Sequence, residues 1–165
     1  MMVSTTMNAK LNGQIMAEFG AAHAYLAMAC IFDNMSLKAL AGRFFKQYAE
    51  ELEHAMRIVR YALEVGGTVT LDEIAKPKTD YKNVEDIVAT ALQNEKDITA
   101  KINDLVTLAD KEKDYATRSF LQWFVDEQVE EISTMSELLN LVKLAGNNVL
   151  QVEAVVRHLM LAEKS

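Results

Sequence analysis

Between two long stretches of helical periodicity lies the segment TVTLDEIAKPKTDYKN, sixteen residues that include the chain's only proline, Pro77. Neighbouring antiparallel helices of a bundle are joined by roughly 2–8 residues, so this segment has another task. Extended, it reaches roughly 50 Å, enough to return along a helix of ~25 residues, about 38 Å long. The chain can leave one end of a bundle and re-enter at the other, which makes the helices on either side parallel. The expected fold is therefore all-α, a four-helix bundle with a long crossover between helices two and three.

The helix boundaries follow from periodicity and end signals. The first helix is expected from about Asn8 to Met35, with Thr6 or Asn8 able to cap it. The second runs from Leu37 or Ala41 to Val65 and stops at Gly66-Gly67. The third spans about Val84 to Lys111, and the fourth begins after Asp114 and ends at Gly146-Asn147-Asn148. A short fifth helix, about Val149 to Ala162, carries Val152, Val155, Val156, Leu159 and Met160. The expectation is one domain over residues 1–165, with the bundle at about 8–146 and the last helix at about 149–162.

The net charge is −7, with lysines and arginines scattered, which argues against a nucleic-acid partner because phosphate binding needs a concentrated cationic face. Cys30 is the sole cysteine, so neither an intrachain disulfide nor a thiolate zinc cage can form. The start, MMVSTTMNAK, lacks the apolar core of a leader, and no uninterrupted apolar run approaches membrane length. The expectation is a cytoplasmic protein with no membrane partner.

Alternating steps of three and four residues identify the side chains that face a bundle axis. Helix one gives Leu11, Ile15, Glu18, Ala22, Tyr25, Ala29 and Phe32. Helix two gives Phe44, Tyr48, Glu51, Ala55, Ile58, Ala62 and Val65. Helix three gives Val84, Val88, Ala91, Glu95, Ile98, Ile102, Leu105 and Ala109, and helix four Leu121, Phe124, Gln128, Glu131, Met135, Leu138, Val142 and Ala145. Each seam is broken by a carboxylate at one level. His54 follows Glu51 by three residues and shares its side of the helix, and Gln128 and Glu131 repeat that spacing.

Four carboxylates inside a bundle cannot all remain ionised without compensation, since removing even one charge from water costs several kcal/mol. They must either take up protons or hold cations. Two divalent ions would balance Glu18, Glu51, Glu95 and Glu131, and oxygen ligands with one imidazole suit iron or manganese. Helix two follows the Glu-x-x-His pattern of di-iron bundles as Glu51-Leu52-Glu53-His54, whereas helix four offers Gln128 and Glu131 instead.

With EELEHA in helix two and FLQWFVDEQVEE at residues 120 to 131, the chain resembles the prokaryotic non-haem ferritins along nearly its whole length. Glu18 with Tyr25, Glu95 ahead of KIN, and LDEIAKP in the crossover support the resemblance. It implies that Glu18, Glu51 and His54 hold one iron, and that Glu51 bridges to a second held by Glu95 and Glu131. Gln128 would sit beside the site to bind or orient an oxygen species. Tyr25 would be a nearby electron donor or hydrogen-bond partner, unless it is simply a core aromatic. Glu50, Glu127 and Glu130 match a third iron site that shares Glu131; an exposed, solvated acidic face is the alternative reading of that trio. Leu52 stands where the haem-binding relatives carry methionine, and helix four lacks their histidine, so no haem is expected.

The resemblance implies an iron-storage protein with ferroxidase activity. It would oxidise Fe(II) with dioxygen or peroxide and keep Fe(III) as mineral inside a homo-oligomeric shell of 24 subunits, with the fifth helix packing on its copies; read alone, that helix could equally cap its own bundle. A non-storage di-iron oxidase or oxygen-detoxifying enzyme of the same fold is the alternative.

Overall fold

In the computed structural model, described over residues 2–164, the chain forms five α-helices and, among the described residues, no strand. They are α1 (Thr5–Asn34), α2 (Lys38–Glu64), α3 (Val84–Glu112), α4 (Tyr115–Ala145) and α5 (Val149–Glu163). The all-α bundle with its long α2–α3 crossover is as the sequence leads one to expect. Asn83 and Asp114 cap α3 and α4, accepting from the Asp86 and Thr117 amides at 2.8 and 3.0 Å.

The start of α1 differs from expectation. Its cap is Ser4, not Thr6 or Asn8, and the Ser4 hydroxyl accepts from the Met7 amide at 2.9 Å. The same hydroxyl donates to Glu112 at the end of α3, at 2.7 Å, so a contact between distant residues fixes the start. The Met2 amide donates to the Val65 carbonyl at 2.8 Å, and Tyr61 pairs with Thr117 through hydroxyls 2.8 Å apart. The beginnings of α1 and α4 therefore lie with the ends of α2 and α3. Thus α1 and α2 are antiparallel, α3 and α4 are antiparallel, and α2 runs parallel to α3.

At the end of α2 the Gly66 amide bonds the Leu63 carbonyl and the Gly67 amide bonds the Ala62 carbonyl, at 3.0 and 2.8 Å. This is the Schellman pattern, with Gly66 in the left-handed region at φ 75°. A Cβ on Gly67 would come within 2.3 Å of Asn8 Oδ1 and 2.9 Å of the Ala62 carbonyl. That contact exists because Asn8 and Asn12 bind the crossover to α1. Their amides donate to the Thr68 carbonyl at 3.2 and 2.8 Å, and their oxygens accept from the Thr68 and Thr70 amides at 3.1 and 2.6 Å.

The seam residues are buried, apart from the half-buried Tyr48 and Ala145. They form two apolar clusters, one around Phe32, Phe44, Val88 and Leu138, the other around Leu11, Ile58, Ile102 and Phe124. Between the clusters lies a layer of buried Glu, Gln and His. Helix α1 contains an 18-residue window of mean hydropathy 1.5, long and apolar enough to cross a membrane by length and composition, but the run is interrupted by Glu18. Alanine, glycine and methionine fill much of that helix, and 39% of the window is buried inside the protein.

Helix α5 has two faces with different fates. Val152 and Val156 are buried against the bundle, whereas Val155 and Leu159 are about two-fifths exposed. The buried Glu153 carboxylate accepts from the Ala39 and Leu40 amides at 2.5 and 3.0 Å. Leu37, at the N-cap of α2, has no side chain able to do this, so a carboxylate from 113 residues away caps the helix. Met160 packs over Gly42, where a Cβ would meet its methyl carbon at 3.2 Å.

Candidate metal centre

The polar layer takes one half from each hairpin. The α1–α2 hairpin contributes Glu18, Glu51 and His54, and the α3–α4 hairpin contributes Glu95, Gln128 and Glu131; all six side chains are buried. One oxygen each from Glu18 and Glu51 and a ring nitrogen of His54 lie within 4.8 Å of one another, a separation that one cation can span. Oxygens of Glu51, Glu95 and Glu131 form a second group on the same criterion. Glu51 belongs to both. The His54 Nδ1 atom is 3.2 Å from Glu51 and 4.0 Å from Glu18 Oε2.

Three glutamines hold these carboxylates. Gln14 donates to Glu18 at 2.7 Å, Gln47 donates to Glu51 and Glu131 at 3.2 and 2.7 Å, and Gln128 donates to Glu95 at 3.2 Å. Gln14 and Gln47 lie outside the seams and outside the sequence-derived site. A signal for both was present: each stands four residues before a seam glutamate, the spacing at which helical side chains pair. Tyr25, buried edge-on to Phe44, donates its hydroxyl to Glu95. Trp123 and Phe124 wall the His54 ring, with centroids 5.4 and 6.1 Å away.

Without metal the layer is electrostatically frustrated. Burial first, then repulsion from Glu51, pushes the Glu18 carboxyl well above its ordinary range. Burial and repulsion from Glu95 do the same to Glu51, and they raise Glu131 to about 8. Burial and the neighbouring Glu95 charge likewise raise the Tyr25 hydroxyl. Glu18 Oε2 is buried with no hydrogen-bond partner, although nearly every buried polar atom in a folded protein has one. An unpartnered oxygen facing an imidazole and a second carboxylate has the chemistry of a vacant ligand for a hard cation.

The expected third group is placed differently. Glu50, Glu127, Glu130 and Glu131 line one cavity of about 130 Å³, with Arg43 and Lys46 at its rim. The trio that closes within 4.8 Å there is His54, Glu127 and Glu131. Glu130 is exposed, and Glu50 pairs with Lys46 at 3.8 Å. His54 thus presents Nδ1 to Glu51 and Nε2 to Glu127, at 3.9 Å.

Residues 8–145 match the family described as "Ferritin-like domain". The chain belongs to that family. Among similar ferritins, the bacterial non-heme ferritin of Staphylococcus haemolyticus is 37% identical over 147 residues, covering 89% of both chains. Ferritin BfrB of Mycolicibacterium smegmatis is 35% identical over 160 residues, 97% of this chain and 88% of its own. In three dimensions this ferritin superposes on a humanized archaeal ferritin with a TM-score of 0.92 at 35% identity, covering 95% and 96% of the two chains. The open pore ferritin of Archaeoglobus fulgidus gives the same TM-score at 34% identity, covering 94% and 96%.

Proposed function

We propose that this ferritin is a ferroxidase that stores the iron it oxidises. The observation that carries the reading is the position of Glu51, whose carboxylate belongs to both three-ligand groups and so bridges two adjacent cation positions. Glu18 and His54 complete the first position, and Glu95 and Glu131 the second. Two Fe(II) ions bound as substrate replace the protons that burial otherwise forces onto Glu18, Glu51 and Glu131. Each ferrous ion gives up one electron, and dioxygen takes the pair with two protons to leave hydrogen peroxide. Hard carboxylate oxygens favour the ferric product over the ferrous reactant.

Gln47, Gln14 and Gln128 keep the carboxylates from collapsing on one another before metal arrives, and Trp123 and Phe124 keep water from His54. Glu127 with Glu131, at the inner end of the acidic cavity, forms a third cation position through which ferric ions leave; Glu50 and Glu130 guide them at its rim. Tyr25 donates its hydroxyl to Glu95 and so orients that ligand of the second position.

Storage needs a container that one bundle does not provide. The outward apolar face of α5, with Val155 and Leu159, supports self-assembly, and kinship with ferritins supports a cytoplasmic shell of 24 subunits. The deciding experiment is anaerobic titration of the metal-free protein with Fe(II), followed by admission of dioxygen, with particle size measured in parallel. Two ferrous ions bound per chain, rapid oxidation and a hollow particle are expected. Saturable binding by a dimer would leave an oxidase without a store, and no saturable binding would end the metal assignment.

A further inference from the structure

The polar layer has a second approach, opposite in chemistry to the acidic cavity. Helix α4 separates the two: its Glu127, Glu130 and Glu131 face the acidic cavity beside α2, while Val125, Gln128, Val129 and Ile132 line a groove against α3. This groove has a volume of about 430 Å³; Thr99, Ile102 and Asn103 form its α3 wall, and Ser133 joins the α4 side. No ionisable side chain lines it. Gln128, only 3% exposed, lies at its inner end, where its amide donates to the Thr99 hydroxyl at 3.0 Å and to the Glu95 carboxylate at 3.2 Å. Gln128 therefore both lines the groove and bonds Glu95 of the metal layer.

The two approaches select by charge. Moving a hydrated cation into an apolar groove sacrifices several kcal/mol of solvation with no carboxylate to restore it. The acidic cavity, by contrast, offers a cation the carboxylates of Glu50, Glu127, Glu130 and Glu131, beside Arg43 and Lys46. An uncharged diatomic gas loses almost nothing on leaving water and gains dispersion contacts with valine and isoleucine. From this placement we infer that the α3–α4 groove is a binding and access site for dioxygen, with Gln128 as the gate between groove and metal layer. The inference rests on the ferroxidase reading and adds to it a separate path for the oxidant.

Gating requires no backbone movement. Rotation of the Gln128 side chain breaks its bonds to the Thr99 hydroxyl, the Glu95 carboxylate and the Glu95 carbonyl and opens the wall, and the Thr99 hydroxyl remains satisfied by that carbonyl, to which it donates at 2.8 Å.

Crystals of the intact protein pressurised with xenon, an uncharged probe of similar size and apolarity, provide the direct test. Xenon is expected in the groove between Ile102, Val125 and Ile132, and its absence there would overturn the inference, including the case in which another subunit fills the groove. The kinetic test uses Val129→Trp, a change at a 70% exposed position that lays an indole over the groove. The apparent KM for dioxygen should rise about tenfold, while anaerobic Fe(II) stoichiometry stays at that of the unmodified protein. An unchanged dioxygen dependence in this variant, with Fe(II) binding intact, refutes the path alone. Absence of Fe(II) binding in the unmodified protein refutes the ferroxidase reading beneath it.

Discussion

Gln47 on α2 and Glu131 on α4 are joined by a hydrogen bond of 2.7 Å that ties helix two to helix four across the metal layer, and the same amide also reaches Glu51 at 3.2 Å. One amide group therefore sets the spacing of the two carboxylates that share the second cation position. Removing it leaves them free to repel or to share a proton. Gln47→Ala should weaken metal binding by roughly 10- to 100-fold while the helical content stays unchanged. Competition with a chelator of known affinity for Mn(II) measures this, and undiminished affinity would remove Gln47 from the site.

Glu51 and Glu130 separate the centre from its rim. Glu51→Ala deletes the ligand common to both cation positions and should slow the first oxidation of iron by at least about 100-fold. Glu130→Ala changes an exposed group outside every close trio and should leave that first phase intact, altering only later turnovers. Stopped-flow absorbance on both variants makes the comparison. Equal losses in the two would mean that rim and centre act as one unit.

The metal-free protein should become less stable as the pH rises toward neutrality, the reverse of ordinary carboxylate behaviour. Glu131 has its folded value lifted from 4.5 to about 8, and Glu18 and Glu51 are lifted in the same direction. A carboxyl whose folded value is raised favours folding at a pH below its unfolded value, and that contribution is lost as the pH climbs through the folded one. The melting temperature should fall between about pH 5 and about pH 8, and saturating Mn(II) should abolish the fall. Calorimetry with and without the ion gives the answer; a metal-free melting temperature that rises over this range would contradict the protonated layer.

Glu153→Ala removes the carboxylate that caps α2 from α5. The loss of a helix cap costs about 0.5–2 kcal/mol, and α5 is released along with it. Amide exchange at Ala39 and Leu40 should quicken, and assembly should fail or yield smaller particles, while two metal ions still bind per chain. Native mass spectrometry with hydrogen exchange tests both effects. Full-sized particles with slow exchange at these amides would show that α5 is seated by Val152 and Val156 alone.

The fold was legible because its determinants are local or periodic. Seams spaced by three and four, the Gly66-Gly67 stop, and the Asp114 start of α4 are all written within a few residues of where they act. What escaped depends on distant partners. Ser4 starts α1 because Glu112 meets it, and Glu153 caps α2 from the far end of the chain. In the metal layer, seam counting finds the residues on the axis but passes over Gln14 and Gln47, which flank it and lean inward. In the third group the choice between Glu50 and His54 as partner of Glu127 depends on which way each side chain points, and spacing along a helix does not encode that.

The single long crossover divides the molecule into two hairpins, each holding half of the ligands. The first cation position draws all its ligands from the α1–α2 hairpin, but the second takes Glu51 from that hairpin and Glu95 and Glu131 from the other. An ion bound at the second position would therefore act as a clasp, riveting the two halves of the bundle together.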